Sequence, residues 1–242
     1  MSLFVISDLH LSTADGCNKS MEVFGRRWTG YTEKLNKAWR ALVGPDDTVV
    51  IPGDISWALA LQDAESDLRF IDSLPGKKYL GKGNHDFWWS TLSKMNRFLA
   101  EKGLTSLSFL HNNIAVTEEF ILAGTRGWFS EEEISSAATN ADFDKMIARE
   151  AIRLGISLKE AEAERAASGK EILVFTHFPP FWNDKEITPL TDLLVQYGVK
   201  RCYFGHIHGN YTAPQRLSHR GIDFMLISAD YLDFVPRIIS PV

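Results

Sequence analysis

The order of apolar runs along the chain is what most limits its fold. Short stretches rich in β-branched and aromatic residues, "LFVIS", "DTVVIP", "KKYLGK", "EILVFTH" and "KRCYFGH", alternate with longer segments whose apolar residues recur every three or four positions. That alternation of strand and helix builds an α/β architecture. Helical spacing is carried by Thr32 to Leu42, Trp57 to Leu74 and Trp89 to Lys102, and Thr188-Pro189 reads as an N-cap followed by the first helical residue. Past Lys200 the runs "RCYFG", "YTAPQRLSH" and "GIDFMLIS" are short and divided by turn residues, which predicts an antiparallel return and hence a mixed sheet. The polar segment from Ser130 to Lys170 places Phe143, Ile147, Ala151, Leu154 and Leu158 on one stripe. It predicts a surface helix whose outer face is solvated and laced by charge pairs.

At 242 residues, 45% hydrophobic and 24% charged, the chain has room for a full core and is expected to form one domain over 1–242. A net charge of -5 and a pI near 5.8 give no general basic footprint, so long nucleic acids are disfavoured as partners and small or compact substrates fit better. Cys17 and Cys202 are far apart and in no CxxC pair, so neither a disulfide framework nor a thiolate zinc site is expected. The apolar start is short, lacks preceding basic residues and is followed at once by charge, unlike a secretory signal. No stretch approaches the ~20 apolar residues of a membrane helix. A cytoplasmic protein that does not engage membranes is the expectation.

The chemistry lies where the strand-like runs stop. "LFVIS" ends in Asp8-Leu9-His10, "DTVVIP" in Gly53-Asp54, "KKYLGK" in Gly83-Asn84-His85-Asp86, "EILVFT" in His177, and "RCYFG" in His206-Ile207-His208. Open α/β sheets bind ligands beyond the carboxyl ends of their strands, so these polar clusters converge on one crevice. Asp8 and His10, like His206 and His208, skip one residue and so point to the same side of an extended backbone. Of the 7 histidines only His111 and His219 fall outside the clusters. Imidazole, carboxylate and amide oxygen without thiolate suit borderline or hard divalent metals: manganese or iron first, zinc or magnesium as alternatives. So many donors exceed the needs of one ion and match two ions sharing a carboxylate about 3.5–4 Å apart. Such a site stays cationic and attracts phosphate.

The order D-x-H, G-D, G-N-H-D, H, G-H-x-H, running from Asp8 to His208, resembles that of the calcineurin-like metallophosphoesterases. The resemblance implies two packed mixed β-sheets flanked by helices, a four-layer sandwich. It implies that Asp8, His10 and His208 hold one metal, that Asn84, His177 and His206 hold the other, and that Asp54 bridges them. His85 then faces the substrate as general acid or phosphoryl-stabilising group, and Asp86 either orients His85 or caps a helix starting at Trp88. A metal-bridging hydroxide attacks phosphorus in line, with no phosphoenzyme. The expected activity is hydrolysis of a small phosphomonoester or phosphodiester.

Two branches of that family fit less well. The protein Ser/Thr phosphatases carry arginines after the G-D and a G-N-H-E, where this chain has Trp57 in "GDISWALA" and Asp86. The DNA-repair nuclease branch adds DNA-capping segments and a basic surface, and neither is present here. Other readings of the same residues are a non-catalytic scaffold, which the complete set of ligand positions and His85 argue against, and a single-metal hydrolase of another ester. For substrate contacts the candidates are Lys19, Arg26 and Arg27 in "GCNKSMEVFGRRW" and Arg126 in "GTRGWF", cations beside aromatic residues that suit phosphate and a ring. Trp88, Trp89 and Trp182 adjoin the metal motifs and default to core packing.

Overall fold

The computed structural model describes residues 1–13, 19–128 and 140–241; Cys17 and residues 130–139 of the polar segment lie outside these. In the first sheet β1 (Leu3–Val5), β2 (Thr48–Ile51), β3 (Lys77–Leu80) and β4 (Leu107–Phe109) run parallel in that order, and β13 (Arg237–Ile239) returns antiparallel beside β1. In the second, β6 (Phe120–Thr125), β7 (Glu171–Thr176), β10 (Arg201–Phe204) and β12 (Ile222–Leu226) are parallel neighbours. Its edges are the antiparallel strands β5 (Ile114–Val116) and β11 (Leu217–His219). Strands β8 (Phe181–Trp182) and β9 (Lys185–Glu186) form a separate hairpin.

The period-two alternation of strands makes the layers. Leu3, Val5, Val50 and Tyr79 from the first sheet meet Leu122, Leu173, Phe175 and Tyr203 from the second in one inter-sheet core. Their neighbours in sequence face the other way. Phe4, Val49, Ile51 and Leu80 pack against the helical side of the first sheet, formed by α1 (Tyr31–Leu42), α2 (Glu65–Asp72) and α3 (Leu92–Lys102). Ile121, Ile172, Val174, Cys202 and Phe204 do so on the second, under α4 (Asn140–Ser168) and α5 (Thr188–Gln196). The expected helix–sheet–sheet–helix sandwich is therefore present. Each inward aliphatic or aromatic side chain contributes about 1.5–3 kcal/mol by leaving water.

Three helix boundaries differ from their sequence signals. The stripe Trp57, Leu61, Ala64, Leu68 and Ile71 is buried as its spacing requires, but residues 57–60 are irregular and 61–64 a turn, where Asp63 N and Ala64 N both donate to Ala60 O, and helix begins only at Glu65. Likewise α3 starts at Leu92, where Thr91 Oγ1 accepts from Lys94 N, so Trp88 and Trp89 belong to a loop. Thr188 and Pro189 are the first two residues of α5, and Ile187 is its N-cap. By contrast, α4 buries Ile147, Leu154 and Leu158 and packs Phe143 and Ala151 against the second core, as its stripe predicts. No helix among the described residues is long and apolar enough to cross a membrane.

The two sheets are tied together at one end. Just past β1, Ser7 N donates to Ile227 O at 2.8 Å, and Ala229 N donates to Ser7 O at 2.8 Å. This seam brings the carboxyl ends of β1 and β12 side by side, immediately before Asp8 and Asp230.

Candidate metal centre

Asp8 and His10 follow β1, Asp54 follows β2, Asn84 to Asp86 follow β3, His177 follows β7, and His206 and His208 follow β10. Both sheets thus deliver their strand ends to the same place. The backbone turns there abruptly: Asp8, His10, Asp54 and His206 are non-glycine residues at φ 60°, 45°, 48° and 68°. Left-handed backbone costs about 1 kcal/mol or more per residue and is kept where a site demands it. Two glycines have a visible reason. A Cβ on Gly83 would lie 2.0 Å from Asp54 Oδ1, and one on Gly205 would lie 2.1 Å from Asp8 Oδ2. The bare backbone is what allows those carboxylates to sit where they do.

The donor atoms face one another across ligand-sized gaps. His10 Nε2 lies 3.1 Å from His208 Nε2, and His208 Nε2 lies 3.4 Å from Asp8 Oδ1. Asn84 Oδ1 is 2.6 Å from His177 Nε2 and 3.1 Å from His206 Nδ1. Asp54 Oδ2 sits between the two groups, 3.6 Å from His10 Nε2 and 3.5 Å from His177 Nε2. Asp8 reaches both as well, with Oδ1 3.8 Å from His177 Nδ1. Ligands at about 2.0–2.2 Å from one ion stand about 3–3.5 Å apart, so the spacings fit shared coordination. Asp8, His10 and His208 form one group able to hold an ion, and Asp8, Asp54 and His177 form another.

Electrostatics agree with a cation-binding role. Asp8, Asp54, His10 and His177 are almost fully buried, and buried charges need partners. Burial raises the Asp54 carboxyl well above the usual range, and the nearby charges of Asp8 and Asp86 add to the effect. Burial also opposes ionisation of Asp8, yet the hydrogen bond to His208 and the charge of that ring hold it far below the usual range. Burial and His208 push His10 down to about 3, burial pushes His206 to about 4, and burial carries His177 well below 6.5. These imidazoles are neutral, the form that ligates metal. The Nδ1 atoms of His10 and His177 are buried without a hydrogen-bond partner. A core that crowds carboxylates and presents neutral imidazole nitrogens is stabilised by added positive charge.

His85 stands at the rim, half-buried, with its ring 5.6 Å from that of His10 and its backbone N–H donating to Asp54 Oδ1 at 2.8 Å. Asp86 has a different place from the one the sequence suggests. Its Oδ1 accepts from Ile55 N, Ser56 N and Trp88 Nε1, and its Oδ2 accepts from Gly83 N. It neither orients the His85 ring nor caps a helix; it pins the Asp54 loop to the Asn84 loop, which makes it a positioning residue. Trp88 and Trp182 are core residues, and Trp89 packs on Phe109 and His111.

Of the substrate-contact candidates, Lys19 Nζ lies 3.7 Å above the Trp57 ring. Arg27 Nη1 donates to Asp230 O at 2.7 Å and its guanidinium covers Tyr211. Arg26 is exposed on a short 3-10 turn. Arg126 lies over Trp128 and Phe178, and its carbonyl accepts from His177 N. Asp230 lies outside every motif noted in the sequence. It is fully buried, takes His208 Nδ1 at 2.8 Å on Oδ1 and Gly209 N at 3.0 Å on Oδ2, and so fixes the ring that presents Nε2 to the centre. The signal was available, since "GIDFMLIS" also stops just short of an acidic residue.

Comparison with known proteins agrees with this geometry. The chain is 26% identical over 223 residues to a "probable cyclic nucleotide phosphodiesterase" of Coxiella burnetii, covering 87% of this chain and 77% of that one. Its fold resembles that of phosphopantetheinyl hydrolase from Mycobacterium tuberculosis, with a TM-score of 0.59 at 15% identity over 100% of this chain and 96% of that one. It also resembles TT1561 of Thermus thermophilus, with a TM-score of 0.58 at 10% identity over 98% and 97%. The family model for calcineurin-like phosphoesterases matches residues 1–210, and the chain belongs to that family.

Proposed function

We propose that the protein is a phosphoric ester hydrolase that binds two divalent ions and cleaves a small phosphomonoester or phosphodiester, with residues 1–242 acting as one domain. The observation that carries the reading is the meeting of seven donor side chains from both sheets, with Asp8, His10, Asp54 and His177 buried and facing atoms 2.6–3.8 Å apart. Asp8, His10 and His208 would hold one ion, Asn84, His177 and His206 the other, with Asp54 between them. The nitrogen and oxygen donors suit manganese or iron, and also zinc or magnesium. When bound, such ions supply a water of lowered pKa as nucleophile and offset phosphoryl charge.

The chain's own residues supply the remainder. His85, next to the centre yet open to solvent, donates a proton to the leaving oxygen or a hydrogen bond to the phosphoryl group. Lys19, Arg26, Arg27 and Arg126 are the proposed contacts for substrate oxygens. The description of the Coxiella relative favours diesters within this class, so cyclic and linear diesters belong beside monoesters in any assay. A reducing cytoplasm suits the free, buried thiol of Cys202.

Elemental analysis after manganese loading, followed by turnover of phosphomonoesters, diesters and nucleotides, tests the reading. Two ions per chain and turnover of at least one ester are expected. At most one ion, or no turnover across the panel, overturns it. Asp54→Ala should lose more metal than His10→Ala, because the bridge serves both ions; equal metal content in the two variants refutes the bridge.

A further inference from the structure

The wall between the 19–28 loop and His85 is built around one indole. Trp57, nearly buried at 9% exposure, lies 4.3 Å from the His85 ring and 5.0 Å from the His10 ring, against which it stacks at 26°. Its Nε1 donates to Met21 Sδ at 3.2 Å, which fastens the loop to the centre. Lys19 Nζ rests 3.7 Å from the centroid of the same ring. A π face attracts an ammonium without using its N–H donors, so Lys19 is held in place and still has hydrogen bonds to give.

We propose that Trp57 is a positioning residue that sets the His85 ring for proton donation and holds Lys19 at the rim of the centre as a contact for phosphate oxygens. The inference rests on the phosphoesterase reading for the role of His85. The link between Trp57 and Lys19 stands apart from it. The geometry suits an oxyanion at this rim, where the Lys19 ammonium and the His85 imidazole can both donate hydrogen bonds to phosphoryl oxygens.

Lys19→Met, Trp57→Leu, Trp57→Phe and the double variant Lys19→Met/Trp57→Leu, each loaded with manganese and checked for metal content, test the proposal. Calorimetric titration with inorganic phosphate should show about tenfold weaker binding for Lys19→Met and for Trp57→Leu, at unchanged metal content. The double variant should be little weaker than either single one, because the second change removes a contact already lost. On an alkyl phosphoester, Lys19→Met should mainly raise KM, whereas Trp57→Leu should also lower kcat by at least about tenfold. Trp57→Phe, which keeps a ring face, should restore both readouts to within about threefold. Additive losses in phosphate affinity, or unchanged affinity in Trp57→Leu, overturn the proposal. So does metal loss in both Trp57 variants, which would make the indole a support of His10 alone. Should Trp57→Leu fail to fold, Trp57→Phe and Lys19→Met still decide: an unweakened Lys19→Met refutes the role of Lys19. If phosphate binding follows this pattern and no ester is hydrolysed, the phosphoesterase reading has failed and the link between Trp57 and Lys19 has not.

Discussion

His208 shows how one buried carboxylate reaches the metal centre through another residue. Burial disfavours its charged form, but hydrogen bonds to Asp230 and Asp8 and the charges of both raise its pKa from 6.5 to about 10 in the metal-free protein. Because the folded value is the higher one, this pair stabilises the metal-free fold fully below pH 6.5, and the contribution fades as pH rises toward 10. At pH 7 the ring therefore carries a proton that an incoming ion must displace. Metal titrations at pH 7 in buffers of different ionisation enthalpy should show release of about one proton or more per chain. Asp230→Asn should release fewer and bind metal about 10–100-fold more weakly; equal release by both proteins would refute the role given to Asp230. His85 makes the complementary case, since it borders the centre and its loss should spare the metals. His85→Asn should keep full metal content yet lose at least ~10²-fold in kcat on an alkyl ester, and less on a p-nitrophenyl ester, whose leaving group scarcely needs a proton. Normal metal with normal alkyl-ester turnover would make His85 structural. Most of these residues were legible because motif spacing encodes strand ends. The role of Asp86 was not, because its partners Ile55 and Ser56 are about thirty residues away and meet it only in the folded sheet.

Between elements, local signals compete with tertiary demands. The run from Trp57 carries helical spacing, yet its first turns are needed to lay the indole against His10 and His85, and helix waits until Glu65. Periodicity reports which residues are buried; it does not by itself report the backbone that buries them. The short strands β8 and β9 escaped the sequence reading because two-residue strands hold no period. What anchors that hairpin is side-chain chemistry. Glu186 accepts from Thr191 Oγ1, from Arg220 Nη1 at 2.7 Å and from His219 Nε2 at 3.0 Å, joining β9, α5 and the β11–β12 turn. Burial works to raise its pKa, but the hydrogen bonds from Thr191, Arg220 and His219 prevail and lower it from 4.5 to about 2. A depressed carboxyl pKa stabilises the fold above pH 4.5 and loses that contribution as pH falls toward 2. In chelator-treated protein, the melting temperature should fall more steeply between pH 4.5 and 2 for the wild type than for Glu186→Gln. Parallel curves would show that the cluster adds nothing to stability.

Across the whole molecule, the donors divide between the sheets: Asp8, His10, Asp54 and Asn84 stand at the ends of the first, and His177, His206 and His208 at the ends of the second. Ions at this centre would join two layers that the inter-sheet core, the seam at Ser7 and the Arg201 bond to Ser240 O also link. Any ligand that binds only the folded chain stabilises it by mass action, about 2.7 kcal/mol per site at a hundred times its Kd. For a chain of this size that corresponds to a rise of about 5–10 °C in melting temperature for each filled site. Asp54 sharpens the test. Its carboxylate is crowded by Asp8 and Asp86 in a buried setting, so the metal-free fold bears an electrostatic cost that metal removes. Asp54→Asn keeps an acceptor for the His85 N–H but not the charge. It should melt at or above the wild type in chelator and lose most of the rise on adding manganese. A wild type indifferent to chelator, or a variant that gains as much from manganese as the wild type, would mean that the strand ends are joined by their own hydrogen bonds and that Asp54 holds no ion.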